Sequence, residues 1–463
     1  MPDIDQKNGI DMANIASING QDIAASGGAY DPVTDTGTYT ETVPTTGMIH
    51  YGYAAARPPM NTSSSGSIYS GRFMMENTTT ALKSNFSSDK DGIHQIYGLS
   101  GLDKNWTKIE CSQYIWAGIE GGRLWMAAYS TNFVHHSTNA RTLTQVTSLS
   151  GASDTGWTDI SVGTDFLLAI NSGKLFVLGT NGDGQLGTGD TSFKTTFTQI
   201  GSDTDWYKVS AGNNHSAAIK GASGSRALYT TGENKDGKCG SGDSSGDDNS
   251  WIERVSADAS EDWTFVEAGQ SHTIAIKAGK LFVAGDGRNE RFGNNSSSDV
   301  TTFTQSGKTD SSTFGTNWVS GTVTYYKSML INSNGECWYA GYAIYGNGSG
   351  NNTNAQSGYH VKTSGNASDG TTGSFGGSDD FTFIACSRTQ SSSGDKFIVA
   401  INNNKLYAFG KQGGNDTPFL IPGNTTGSLF QGTVVNSAKN CQVVFPWYGS
   451  SSISGMFAYF VDP

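Results

Sequence analysis

The chain has 463 residues, 35% of them hydrophobic and only 15% charged, with 61 Gly and 9 Pro. A charged fraction well below the roughly 25% of an ordinary globular domain leaves Ser, Thr, Asn and Gly to supply polarity, which favours strands and turns over helices. Aperiodic Gly excludes collagen, 10 Trp, 19 Tyr and 22 Phe exclude a chain too polar to fold, and a net charge of −12 disfavours nucleic acid as a partner.

Residues 1–46 begin MPDIDQKNGIDMANIAS, without the basic start and unbroken apolar stretch of a Sec signal peptide. They match none of the repeats that follow and read as an extended amino-terminal arm. Its sparse apolar residues, Ile10, Met12, Ile15, Ile18 and Ile23, are the candidates for anchoring to a partner, since so little apolar surface does not order alone. No run reaches the ~18 apolar residues of a membrane-spanning helix, so membrane insertion is not expected.

From residue 47 onward the chain repeats. Trp106, Trp157, Trp206, Trp263, Trp318 and Phe381 each open a unit of about 50 residues. WTDISVG, WYKVSAG and WTFVEAG superimpose without a gap, with an aliphatic residue three places after the Trp and a small one five places after it. Two further apolar runs follow, FLLAIN, HSAAIK or HTIAIK and then GKLFVLG, RALYTTG or GKLFVAG, before a weaker fourth run such as FTQI. Four short β runs separated by turn residues make one propeller blade. At the carboxy end NCQVVFPW (440–447) and GMFAYFVD (455–462) look like first and second strands. GMIHYGY (47–53) and IHQIYG (93–98) look like the missing third and fourth. The expected fold is therefore all-β: a seven-bladed propeller of four-stranded blades over residues 47–463, one blade shared by the amino- and carboxy-terminal strands.

The combined pattern, W-x-x-(I/V)-x-x-G, a His, A-I-K, G-K-L-(F/Y)-x-x-G and N-x-x-G-Q-L-G-x-G-D, resembles the RCC1-like (regulator of chromosome condensation) family of seven-bladed propellers. The last element appears in full as TNGDGQLGTGD (180–190) and in altered form as NKDGKCGSGD (234–243). The resemblance implies a propeller, but the family spans exchange factors, enzyme inhibitors and lectin-like binders. A chromatin-bound exchanger would carry a basic tail, whereas residues 1–46 hold one Lys and no Arg.

Constellations that suggest chemistry have plainer readings. Gly182, Gly184 and Gly187 spell G-x-G-x-x-G, but a Thr-rich path to another strand follows instead of a helix, so they read as turn glycines. His215 and His272 occupy one repeat position filled elsewhere by Phe166 and Ile115, so they read as packing residues with satisfied imidazoles. The pair His135 and His136 reads as a solvated loop. Cys111 and Cys386 align with Val162, Ala211 and Ala268 and read as reduced core residues. The Asp/Asn-rich turns at 89–92, 181–183 and 243–248 lack the order of a calcium loop. No cofactor, metal or catalytic set is expected, and the chain does not read as an enzyme.

The segment ANIASINGQDIA (13–24) resembles short amino-terminal segments of tailed-phage structural proteins. Together these features read as a virion structural protein made in the host cytoplasm. The arm would bind other virion proteins, in several copies per particle, and the propeller would present a surface for tail, baseplate, neck or decoration contacts or for host attachment to a glycan or protein. The loop 343–362, with Tyr345, Tyr359 and His360, is the candidate surface-binding element. The alternative is a free lectin-like or inhibitor-like propeller.

Overall fold

The computed structural model describes residues 142–254, 262–309, 313–324, 327–342, 106–112, 115–128, 380–386 and 397–404, and elsewhere the backbone of strands. Met1–Thr40 and Glu41–Pro463 are separate compact units. The larger unit is an all-β propeller, its helical content among the described residues confined to two single turns at Lys235–Gly237 and Arg288–Glu290.

Five sheets follow one plan, four consecutive antiparallel strands apiece, opening at Trp157, Trp206, Trp263, Trp318 and Phe381. The alternation of side chains along a strand explains why the second strands read as unbroken apolar runs. In Phe166–Asn171, Leu167 and Ala169 join one hydrophobic cluster with Ile160 and Phe176, while Phe166, Leu168 and Ile170 join another with Trp206 and Val209 of the next sheet. Both faces of the strand are therefore covered by protein, and all six residues are buried. The fourth strand lies at the sheet edge and relaxes to a mixed pattern, with only Phe197 buried in Lys194–Gln199. Four opening Trp rings meet side chains of the third and fourth strands: Trp157, Trp206 and Trp318 do so, and Trp263 meets Phe282 and Phe303 at ring separations of 5.3 and 6.1 Å.

The expectation of seven four-stranded blades is corrected to five of that plan. The sheet opened by Trp106–Cys111 has six strands, because the hairpin Met75–Thr78 and Ala81–Ser84 pairs with the outer edge of Thr142–Gln145. The last sheet joins distant segments: Asn440–Ser450, Ile453–Val461, Gly47–Ala54 and Gly92–Gln95 lie in that order, with Ala458 opposite Ile49 and Ile49 opposite Gln95.

Residues 1–46 are not simply extended. Gln6–Lys7 pairs with Ile10–Asp11, and Ser17–Ile18 pairs with Gln21–Asp22. In sequence each pair of strands is separated by Asn-Gly, which is outside the described residues and is the dipeptide preferred in two-residue hairpin connections. The matching stretches IDQKNGIDM and IASINGQDI lie eleven residues apart. Ile10 and Ile18 fall in these strands; Met12, Ile15 and Ile23 lie outside the described residues.

Replacing Trp263 with Ala removes the wedge between two strands and is expected to cost about 3–5 kcal/mol of stability, with Trp263→Phe costing less. Denaturant unfolding measures both.

Candidate functional site at the inner strands and motif loops

The first strands of successive sheets pack side by side, but no backbone ladder joins them. Side chains four places after Trp106, Trp157, Trp206 and Trp318 supply acceptors instead. Glu110 Oε2 accepts from Val162 N at 2.8 Å, Ser161 Oγ from Ala211 N at 2.9 Å, Ser210 Oγ from Ala268 N at 2.9 Å, and Thr322 Oγ1 from Cys386 N at 3.2 Å. Ser161 Oγ also donates to Glu110 Oε2 at 3.1 Å. Two places nearer the aromatic, Asp159 accepts from Lys108 and, at 2.9 Å, from Val209 N. Burial opposes the charge on Lys108, but Asp159 and Glu110 outweigh it and raise the ammonium above its ordinary range. Lys208, whose Nζ lies 5.3 Å from the Phe265 ring centroid, is pulled downward, chiefly by burial.

At one end of these strands the loops after the third strands carry the glycine motif. Asn181 Nδ2 donates to Thr188 Oγ1 and Asp190 O, and its Oδ1 accepts from Leu186 N. Asn234 repeats this with Ser241, Asp243 and Cys239 N. Gly184 and Gly187 have φ of +75° and +67°, and a Cβ on Gly187 would lie 2.4 Å from Trp251. The path continues into Lys194–Gln199, so the glycines shape a turn and cradle no phosphate. The loop carbonyls of Gln185, Lys238 and Arg291 accept hydroxyls from Ser216, Thr273 and Ser328 of the next sheet.

His215 behaves as the repeat pattern implies. Thr273 Oγ1 donates to Lys238 O, so it accepts from His215 Nε2 at 2.8 Å, which assigns the proton to that nitrogen. His272 does not: it is wholly buried 5.7 Å from the Phe292 ring, and neither ring nitrogen has a hydrogen-bond partner. Burial, reinforced by Arg291 and opposed by Asp286, holds His272 well below the ordinary imidazole range. The expectation of a satisfied imidazole is corrected there.

His360 is also corrected. It lies in the strand Gln356–Lys362, wholly buried, with its ring 5.8 Å from Trp318 and Nε2 3.3 Å from Ser328 Oγ. Burial pulls it down to about 3, and a Cβ on Gly293 would sit 2.0 Å from its Nδ1. It packs a sheet and cannot meet a surface ligand. Tyr359 shares that strand, and its side chain, like Tyr345, His135 and His136, lies outside the described residues.

The cysteines whose side chains are described are buried. Cys386 Sγ donates to Val323 O at 2.7 Å, and burial pushes the Cys239 thiol up to about 12. Among the described residues no three His, Cys, Asp or Glu converge as metal ligands.

Residues 172–219 match the regulator of chromosome condensation (RCC1) repeat. No curated protein matches the chain. Among solved structures, human WBSCR16 is similar with a TM-score of 0.64 at 14% identity, over 90% of this chain and 100% of its own. Yeast RCC1 (Prp20), solved with Kap60 bound to it, gives 0.61 at 10% identity over 90% of each chain. Prp20p from Saccharomyces cerevisiae, described with its binding to Gsp1p and histones, gives 0.60 at 11% identity over 91% and 93%. The chain thus carries an RCC1 repeat in an RCC1-like β-propeller, and at these identities the likeness shows the fold alone.

Two outcomes are expected. Ser161→Ala orphans the buried Ala211 N–H and costs about 1–3 kcal/mol, measurable by denaturant unfolding, while Ser161→Thr keeps the acceptor. His272 and His360 are neutral in the fold but protonate in the unfolded chain below about pH 6.5, so the unfolded state binds more protons. Stability therefore falls as pH drops from about 6.5, by up to about 1.4 kcal/mol per pH unit per histidine, and His360→Phe flattens that slope in a urea-midpoint series.

Proposed function

We propose that the chain is a non-catalytic binding scaffold, a rigid propeller that meets its partners through its faces and loops. The observation that carries this reading is how its reactive side-chain types are used. Cys239 and Cys386 are buried, His215 bonds to the next sheet, His272 and His360 are held neutral, and Lys108 is locked between carboxylates. Similar structures point the same way, since yeast RCC1 has been solved with Kap60 bound. A closed ring of seven sheets suits such a scaffold. What supports it is that Asn440–Ser450 contacts both Phe381–Cys386 and Trp106–Cys111.

The finer reading is a tailed-phage virion component, made in the host cytoplasm, in which residues 1–46 dock on other virion proteins. The phage-like segment supports it, and the tandem Asn-Gly hairpins give the arm a repeated element of its own, apart from the compact unit that begins at Glu41. The competing reading is a free lectin-like or inhibitor-like propeller.

Deleting residues 1–46 separates them. The truncated protein is expected to stay folded, with an unfolding midpoint within a few degrees of the full chain, because the deleted segment lies almost wholly in the other unit. It is also expected to be missing from purified particles that incorporate the full chain. Normal incorporation of the truncated form refutes the anchoring role and leaves a free binder.

A further inference from the structure

Six inner strands break register at the same place. In each, the residue after the opening aromatic is skipped in the pairing: Asn171 faces Trp157 and Ile170 faces Asp159, and the pattern recurs after Trp106, Trp206, Trp263, Trp318 and Phe381. These are β-bulges, which re-aim one side chain apiece. The bulged residues are Thr107, Thr158, Tyr207, Thr264, Val319 and Thr382, and all six are exposed. The contacts from Glu110 to Val162, Ser161 to Ala211 and Ser210 to Ala268 hold the first four of these strands in matching register, and Thr322 to Cys386 holds the last two, so Thr107, Thr158, Tyr207 and Thr264 line up as one arc of a collar that Val319 and Thr382 extend. They sit at the end of the inner strands opposite the motif loops.

The collar carries no charge, although the next position inward carries Lys108, Asp159 and Lys208. A threonine hydroxyl that donates to a backbone carbonyl keeps its lone pairs for a ligand's donor. The hydroxyls of Thr107 and Thr264 reach backbone carbonyls only at 3.4 and 3.3 Å. The collar's aromatic member is held from one side: the Arg226 guanidinium lies 3.7 Å from the Tyr207 ring centroid and is itself tied to Asp262 at 3.1 Å, while Tyr207 remains 46% exposed.

We propose that this collar binds a neutral saccharide, with a pyranose face stacked on Tyr207 and its hydroxyls bonded to the flanking threonines. An exposed rigid aromatic beside neutral hydroxyl groups matches a ring that has one apolar face and a polar rim. A protein interface would want a larger apolar centre, and only Tyr207 and Val319 among the collar residues are large and hydrophobic. The six collar residues themselves carry no cation, and the guanidinium nearest them, Arg226, is tied to Asp262.

The inference deepens the binding-scaffold reading and rests on it only in taking these side chains as free for a ligand. The full chain is titrated separately with maltohexaose, cellohexaose, chitohexaose and the acidic hexagalacturonate, by calorimetry and intrinsic fluorescence. At least one neutral oligosaccharide is expected to saturate, with Kd on the order of 0.1–1 mM. Tyr207→Ala is expected to weaken it about tenfold or more, and Tyr207→Phe by less than about threefold. Thr264→Asp, an exposed change that adds a charge to the collar, is expected to lower affinity with the unfolding midpoint unchanged. Saturation by no neutral oligosaccharide, equal affinity in Tyr207→Ala, or preference for hexagalacturonate overturns the proposal. Each of those results leaves the outcome of deleting residues 1–46 untouched, so the two readings fail separately.

Discussion

The propeller depends on how adjacent sheets meet at their inner strands. Within a sheet, the ladder satisfies backbone N–H groups automatically; between sheets it does not, and a buried N–H without an acceptor costs about 1–3 kcal/mol. In four of the repeats the chain meets this with a side chain at one fixed place, Glu110, Ser161, Ser210 and Thr322 reaching the N–H of Val162, Ala211, Ala268 and Cys386. The acceptor must be short or well held, because a single hydroxyl has to span the gap without bringing unbonded polar atoms along. That requirement explains why the position varies among Ser, Thr and Glu yet stays polar in these four strands.

Much of this was legible in the sequence, because the signals were local. The opening aromatics, the doubly apolar second strands and the G-K-L-(F/Y) third strands are set by burial on two faces, and burial leaves a composition that can be read directly. The chain ends were legible for the same reason, since Gly47–Ala54 and Ile453–Val461 carry the pattern of inner-sheet strands. What escaped depends on partners distant in sequence. Nothing around Met75–Ser84 announces that a hairpin will extend another unit's sheet, because edge pairing imposes little on side chains. His360 follows a Ser-, Asn- and Gly-rich stretch and reads as part of a loop; its burial comes from Trp318, Ser328 and Gly293, each at least 30 residues away. The Asn-Gly pairs at 8–9 and 19–20 were a readable hairpin signal, obscured because the flanking strands are too short to alternate.

The motif loops show how the same architecture tolerates change when residues change together. Counting from the end of the third strand, Thr180, Glu233 and Asp286 are equivalent, as are Gln185, Lys238 and Arg291. The first loop uses a neutral pair. The second sets Lys238 against Glu233, and the third sets Arg291 against Asp286 at 3.5 Å, with Arg288 also holding the Asp286 carboxylate. An isolated charge at either buried place would be costly, whereas a matched pair keeps the carbonyl at the loop's centre free to accept the next sheet's hydroxyl.

The third loop also shows where such compensation ends. Gly287 stands where the other loops have Asn181 and Asn234, and its N–H is taken instead by Asp299 Oδ1 at 3.1 Å. The next hydrogen-bond relay changes with it. His215 donates a hydrogen bond to Thr273, but the equivalent His272 has no hydrogen-bond partner, while Ser328 donates to the Arg291 carbonyl and lies 3.3 Å from His360 Nε2. His360 Nδ1 is left without a hydrogen-bond partner, as are both nitrogens of His272, which packs edge-on to the Phe292 ring. A position that repeats in sequence is thus not equivalent in energy: it is buried whether filled by Ile115, Phe166, His215 or His272, and His215 adds a hydrogen bond to the next sheet that His272 lacks.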